Sequence, residues 1–361
     1  MGCGIPQGTV RNRMKGLDMK RREFLAASAV AGVAAVCGTR QAAAQGVVAA
    51  GNGMPKLAPP AQPAVLNLSL QWGMIPGGAI NEKLDYLESH GYQAFETPTG
   101  DWLLKEGEKL KEALNGRKLF VATACGPSNF AYAEKEKRDK EVEMFLPQLE
   151  VLGMLKAVGL ILCPARGKLS EEGWLSGKEL RRDFVENTGK RLAEHALKHG
   201  TSIVLEPLRR GETPFLRQVL DGAVMARDIN AQIGGMGATV MGDFWHMAQE
   251  EYEFFGPLAG AGNLLKHIHI ASLKRRQIPG VDGDADNYVA GFKGLKLIGY
   301  RGAVSLEGGV PRTLPFQLKP DAKEIEIKDK DGRVTEKGFE VDKETLLANM
   351  QRLLKEQWEQ A

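Results

Sequence analysis

From Val65 onward, short apolar runs alternate with amphipathic stretches. The runs are Val65–Leu70, Gln93–Thr97, Leu119–Ala124, Val158–Cys163, Ser202–Leu208, Ala238–Asp243, Leu265–Ala271 and Ala303–Glu307, eight in all. Each has the length of a strand, and runs this apolar pair in parallel sheets covered on both faces. Between them, Ile80–His90, Lys105–Asn115, Lys140–Leu152, Lys178–His199, Phe215–Ile229 and Asn287–Ile298 repeat apolar positions at helical spacing. Gly91, Gly116 and Gly200 follow three of these stretches, where a C-cap glycine belongs. Eight strand–helix units in about 250 residues predict an α/β fold, the (β/α)8 TIM barrel. An open doubly wound sheet is the alternative, but the first strand is not followed by a G-x-G-x-x-G loop.

Beyond Gly309 the pattern changes. Ala322–Val341 alternates charged and apolar residues around Asp331-Gly332, the signal of a β-hairpin, and Glu344–Gln357 reads as a closing amphipathic helix. The hairpin is expected as an insertion before the last helix, near the C-terminal mouth of the barrel. Its wealth of Lys and Glu suits an exposed edge that resists pairing.

The N-terminus reads as an address. Lys20-Arg21-Arg22-Glu23-Phe24-Leu25 precedes a weakly apolar stretch, Ala26 to Cys37, and then Ala42-Ala43-Ala44-Gln45. A basic segment, a short apolar segment and an A-x-A end make a signal peptide, and the paired arginines resemble the twin-arginine export signal. Residues 1–44 are therefore expected to direct export to the periplasm and to be removed. A lipid anchor at Cys37 is disfavoured by Val36 before it. Residues 45–63, rich in Gly, Pro and Ala, read as a linker, and 64–361 as the barrel with 322–341 inserted.

Composition narrows the function classes. The chain has 361 residues, 43% hydrophobic and 26% charged, which is globular usage. No apolar run reaches the roughly 18 residues that span a bilayer, so no stable membrane anchor is expected. The net charge of +3 sits in residues 1–44, which hold seven basic and two acidic residues; the remainder has 41 basic and 43 acidic. A near-neutral body offers nucleic acid no electrostatic footprint. Past the signal only Cys125 and Cys163 remain, both beside apolar runs and expected as small core residues. Without Cys-x-x-Cys, a thiolate zinc site is not indicated.

In such a barrel the chemistry sits at the C-terminal ends of the strands. Four consecutive strand candidates end on a carboxylate or an imidazole: Glu206, Asp243, His269 and Glu307. One imidazole and three carboxylates suit Mn²⁺, Co²⁺, Mg²⁺ or Zn²⁺, of which Mn²⁺ is the one expected, with positions left for substrate oxygens. Singly, each residue has a structural reading. Glu206 pairs with an arginine, Asp243 caps a helix, and His267, two positions from His269 and on its face, is a core histidine. Glu96, ending the second run, lines the pocket or makes a structural ion pair. It is the run of four at equivalent positions that argues for a metal.

These residues resemble the xylose isomerase-like barrel superfamily, in particular its sugar phosphate isomerase/epimerase members similar to D-tagatose 3-epimerase, over about Val65 to Gly309. The resemblance rests on Glu206 followed by Arg210 and Glu212, on Asp243-Phe244-Trp245-His246-Met247 before Glu250-Glu251, on His269 with Arg275 six residues later, and on Glu307. It implies that Glu206, Asp243, His269 and Glu307 hold a divalent metal, and that Glu212, His246 and Arg275 contact the sugar, with Arg210 and Glu96 beside them. It implies a metal-dependent isomerase or epimerase acting on a ketose or keto-sugar by proton transfer beside a carbonyl, through an enediolate. Glu206 and Glu307 are the expected acid/base pair.

Phe244-Trp245 departs from the commoner Thr-Phe pair, and Lys274-Arg275-Arg276-Gln277 is more basic than a neutral sugar needs, which keeps an acidic or phosphorylated substrate in view. Two other readings stand: a metal-dependent lyase or hydrolase that cleaves keto-glycosides by the same enolisation, and a non-catalytic sugar-binding barrel. The oligomeric state stays open.

Overall fold

The computed structural model describes residues 60–167 and 173–361. The export signal and all but the last residues of the expected linker lie outside the described residues. Eight parallel strands form a closed barrel in sequence order. They are β1 (Asn67–Gln71), β2 (Ala94–Pro98), β3 (Phe120–Cys125), β4 (Gly159–Leu162), β5 (Ser202–Leu205), β6 (Ala238–Asp243), β7 (Leu265–Ile270) and β8 (Ala303–Leu306). Closure comes from β1 beside β8, in register from Asn67 opposite Ala303 to Leu70 opposite Leu306, with Ser69 and Ser305 hydroxyls 3.0 Å apart inside the seam.

The barrel is packed as its sequence predicts. Outward residues such as Leu68, Leu70, Phe95, Val121, Leu160, Ile203, Leu205 and Val240 are buried under the helices. Inward ones form smaller layers, Ala94 with Ala122 and Ala303, then Ile161 with Val204 and Met241. Gly159 also faces inward, where a Cβ would come within 2.3 Å of the Ser202 carbonyl oxygen.

The first five helices are α1 (Ile80–Ser89), α2 (Asp101–Ala113), α3 (Lys135–Met154), α4 (Gly177–Asp183) and α5 (Gly189–Lys198). They are followed by α6 (Val219–Ile233), α7 (Phe244–Glu250), α8 (Phe255–Ala261), α9 (Val289–Leu297) and α10 (Lys343–Gln360). Gly91, Gly116 and Gly200 take left-handed φ of +72°, +79° and +74° at the ends of their helices. The single helix expected over Lys178–His199 is instead α4 and α5 joined by a π-helical turn, Phe184–Thr188. Asp183 anchors that turn: it is paired with Arg138 at 3.1 Å and accepts from Thr188 Oγ1 at 3.2 Å. The seven-residue helices α7 and α8 are too short to show a period, and the hydrophobic pattern did not reveal them.

The insertion after β8 is an antiparallel hairpin, β9 (Glu324–Lys328) and β10 (Val334–Phe339), as expected. Helix α10 then takes the place of the eighth barrel helix. It buries Leu346, Leu347, Met350 and Leu354, and Gln357 accepts from Tyr288 N at 2.7 Å while donating to Asp286 O at 2.7 Å. Among the described residues no helix is long and apolar enough to cross a membrane.

Candidate active site at the mouth of the barrel

Side chains alternate along a strand, so the residue two after an inward one also points inward. Glu96 follows Ala94, Glu206 follows Val204, Asp243 follows Met241, His269 follows His267 and Glu307 follows Ser305. The alternation, continued to the C-terminal end of each strand, turns five polar groups inward, four of which meet at the mouth. One donor atom each from Glu206, Asp243, His269 and Glu307 lies within 4.8 Å of all the others. His269 Nδ1 is 2.9 Å from Glu307 Oε2 and 3.5 Å from Glu206 Oε1.

These residues leave unpaired what a cation requires. Glu206 Oε1, Asp243 Oδ2 and His269 Nδ1 are all buried with no hydrogen-bond partner. Orphaned buried polar atoms are costly, about 1–3 kcal/mol each, and three aimed at one point, with a Glu307 oxygen beside them, form a hard-donor set suited to a divalent cation. Each of the three has its other atom engaged elsewhere, which fixes its direction. Asp243 Oδ1 caps α7, accepting from Trp245 N at 2.8 Å, so Oδ2 faces the mouth. Oδ1 meets the helix-cap reading of Asp243, and Oδ2 is left without a hydrogen bond. Cys163 Sγ donates to Glu206 Oε2 at 3.4 Å, leaving Oε1 free. Ser128 in turn clamps Cys163, accepting from its N–H at 2.9 Å and donating to its carbonyl at 3.1 Å.

Glu96 lies behind the quartet. Its Oε1 accepts from His269 Nε2 at 2.9 Å and from His267 Nε2 at 2.8 Å, so Nε2 of His269 carries a proton and Nδ1 is the nitrogen that faces the mouth. Burial opposes charge on Glu96, but the two imidazoles outweigh it and hold the carboxyl far below its usual range. Glu96 is thus an ion-pair partner of the histidines and is fully buried, not a pocket-lining group, and His267 is a bonded core histidine. Burial, then Glu307, pushes the Asp243 carboxyl up to about 7. Burial also opposes charge on His269, yet Glu96 and Glu307 overcome it and raise its pKa well above the ordinary value.

His246 is buried beside the quartet. Its Nδ1 accepts from Arg209 N at 3.1 Å, which puts the ring proton on Nε2, 3.5 Å from Asp243 Oδ2. Burial, then Arg276, pushes its pKa down to about 3, so the ring is neutral and presents an N–H donor.

The arginines need correction. Arg275, expected at the sugar, turns away: Nε pairs with Asp282 Oδ1 at 2.7 Å and Nη2 donates to Val281 O. Its neighbour Arg276 enters instead, from a left-handed backbone at φ +53°. Arg276 Nη2 reaches Glu307 Oε2 at 2.7 Å and lies 3.6 Å from Asp243 Oδ2, while Nη1 lies 3.6 Å from Glu212 Oε1. Arg210 is likewise held outside, clasped by Glu250 at 2.9 Å and 70% exposed. Arg209 points inward, pairing with Glu212 Oε1 at 2.9 Å. The guanidinium groups of Arg209 and Arg276 both lie over the Trp245 ring, at 4.5 and 4.6 Å from its centre. Arg275 and Arg210 are thus each paired with a carboxylate away from the quartet.

The sequence pattern of the family described as xylose isomerase-like TIM barrel matches residues 84–327. The chain is 29% identical over 249 residues to the 3-dehydro-D-guloside 4-epimerase of Escherichia coli strain K12, covering 67% of this chain and 92% of that one. It is 29% identical over 233 residues to the L-ribulose 3-epimerase of Methylomonas sp. strain DH-1, covering 64% and 76%. Among solved structures, the apo form of an Escherichia coli 3-keto-D-glucoside 4-epimerase superposes with a TM-score of 0.58 at 27% identity, over 68% of this chain and 93% of that one. A Methylomonas D-allulose 3-epimerase in complex with D-allulose shares the fold, with a TM-score of 0.60 at 21% identity over 83% and 100%. The chain belongs to the xylose isomerase-like TIM barrel family.

Proposed function

We propose that this chain is a sugar epimerase, dependent on one divalent metal ion, that inverts a carbon next to the carbonyl of a ketose or keto-glycoside. The observation that carries the reading is the convergence of Glu206 Oε1, Asp243 Oδ2 and His269 Nδ1, buried and unpartnered, on a point that Glu307 also reaches. These four residues would hold the cation, and when bound it supplies positive charge for the negative charge that develops on the substrate's carbonyl oxygen and its neighbour. Epimerase names among the relatives support the same reaction class.

The residues divide the remaining work. Glu206 follows β5 and Glu307 follows β8, so the two carboxylates approach the mouth from different sides of the ring. One takes the proton from carbon on one face of the sugar, and the other returns a proton to the opposite face, which inverts the centre. His246, neutral with its proton on Nε2, donates to a sugar oxygen. Arg276 holds Glu307 in place and presents its remaining N–H groups to the substrate. Trp245 gives Arg276 and Arg209 an aromatic platform beside the site.

Metal content of the purified chain, together with deuterium uptake from D₂O into ketoses and 3-keto-glycosides, tests the proposal. One divalent ion per chain and solvent deuterium at the carbon beside the carbonyl are expected, with the epimer as product. Release of the aglycone would turn the reading to a lyase. No exchange on any substrate by metal-loaded protein would overturn it.

Export is part of the same proposal. Replacing Arg21 and Arg22 by Lys is expected to leave the uncleaved chain in the cytoplasm, seen by fractionation.

A further inference from the structure

We propose that Glu150, His195 and His199 form a second metal site, for Zn²⁺, on the opposite end of the barrel from the mouth. Helices α3 and α5 run back against the strands, so their C-terminal ends, which carry these residues, lie at the N-terminal end of the barrel. The three donor groups lie within 4.8 Å of one another.

Each part of the geometry follows from position. His195 and His199 are four residues apart on α5 and its C-cap, so their rings share a face, with centres 4.6 Å apart. Glu150 comes across from α3, its Oε1 accepting from His195 Nε2 at 3.1 Å. Gly153 sets the approach: a Cβ there would stand 2.2 Å from the His199 carbonyl oxygen and 2.8 Å from its Cβ. One turn back along α5, Arg191 ties the same two helices together, reaching Asp139 at 2.9 Å and Glu143 at 2.6 Å. The cluster is therefore seated on helices already locked in register.

Two imidazoles and one carboxylate are a zinc donor set, and the last turn of α5 adds the partial negative charge of a helix C-terminus. Zinc's preference for four ligands leaves one position to solvent. Ala196 follows His195 where a zinc hydrolase of the H-E-x-x-H type carries its general base, so the site binds a cation without such a base. The ion would clamp α5 to α3.

The test is zinc stoichiometry of the untagged full chain, by equilibrium dialysis and elemental analysis, for the wild type and the double variant His195→Ala/His199→Ala. The wild type is expected to hold one more Zn²⁺ per chain than the variant, and zinc is expected to raise the Tm of the wild type above that of the variant. The difference of one ion tests this site whatever the quartet at the mouth holds, so the two readings fail separately. Glu150→Gln and His199→Ala alone, both at exposed positions, serve as second variants should the double variant fold poorly. Equal zinc content in wild type and all folded variants would overturn the proposal. Epimerase turnover of the variants is expected to match the wild type.

Discussion

Nε2 of His269 stands 2.9 Å from Oε1 of Glu96, and this contact decides which imidazole nitrogen faces the mouth of the barrel. A carboxylate behind a ligating histidine typically sets cation affinity about 10–100-fold. Glu96→Gln keeps the shape but removes the charge that orients both His267 and His269. It is expected to weaken Mn²⁺ binding by about that factor, measured by titration, with the circular dichroism of the barrel retained. Unchanged affinity would remove Glu96 from any role at the site.

Glu206→Gln and Glu307→Gln each remove one of the two carboxylates assigned to proton transfer. General acid–base groups contribute about 10²–10⁴ in rate. Each variant is expected to lose at least that in deuterium exchange while staying folded. Turnover near the wild-type rate in either would sink the assignment.

Asp243 and His269 carry protons that a cation must displace. Asp243, with its carboxyl pushed up to about 7, and His269, with its pKa raised well above the ordinary range, must both shed a proton before Oδ2 and Nδ1 can ligate. Protons therefore compete with the cation, and apparent affinity is expected to rise as pH climbs through about 7, where Asp243 loses its proton, and to go on rising above it as His269 does. Calorimetry in buffers of different ionisation enthalpy should show proton release on loading at the acid end. A flat affinity across this range would contradict the protonation states derived for these groups.

Two adjacent arginines should behave oppositely. Arg276 touches Glu307 and Arg275 is spent on Asp282, so Arg276→Ala is expected to lose about 10–100-fold in kcat/KM, the worth of a hydrogen bond to a charged group. Arg275→Ala is expected to stay close to the wild type. The reverse order would show that substrate draws Arg275 into the mouth.

Gly159→Ala would press a methyl group against the Ser202 carbonyl in the narrow interior of the barrel. Overpacking of this kind costs about 1–3 kcal/mol. A lowered Tm with metal affinity retained is the expected outcome in a melting curve. An unchanged Tm would show that the barrel floor yields more than its packing implies.

Much of this site was legible in the sequence because a strand has a fixed period. Once eight strands are read, alternation puts Glu206, Asp243, His269 and Glu307 at equivalent inward positions. Counting along the chain is then enough to gather donors more than a hundred residues apart. The closed barrel followed from the same regularity, since short apolar strands separated by helices pair in parallel. Helix ends were legible too, through Gly91, Gly116 and Gly200.

Loops have no such period, and there the tertiary structure decided. Nothing in Arg209-Arg210 or Arg275-Arg276 tells which guanidinium turns inward. The choice is made by Trp245 as a platform, by Glu250 and Asp282 as outer partners, and by the left-handed backbone at Arg276. Cys163 read as a small core residue, and only the fold set its thiol against Glu206. Glu96 stood equally between pocket and ion pair until packing buried it behind two imidazoles. The chain determined which residues reach the mouth, since strand geometry is local and periodic. Their partners, protonation and direction were settled by contacts between segments that only folding brings together.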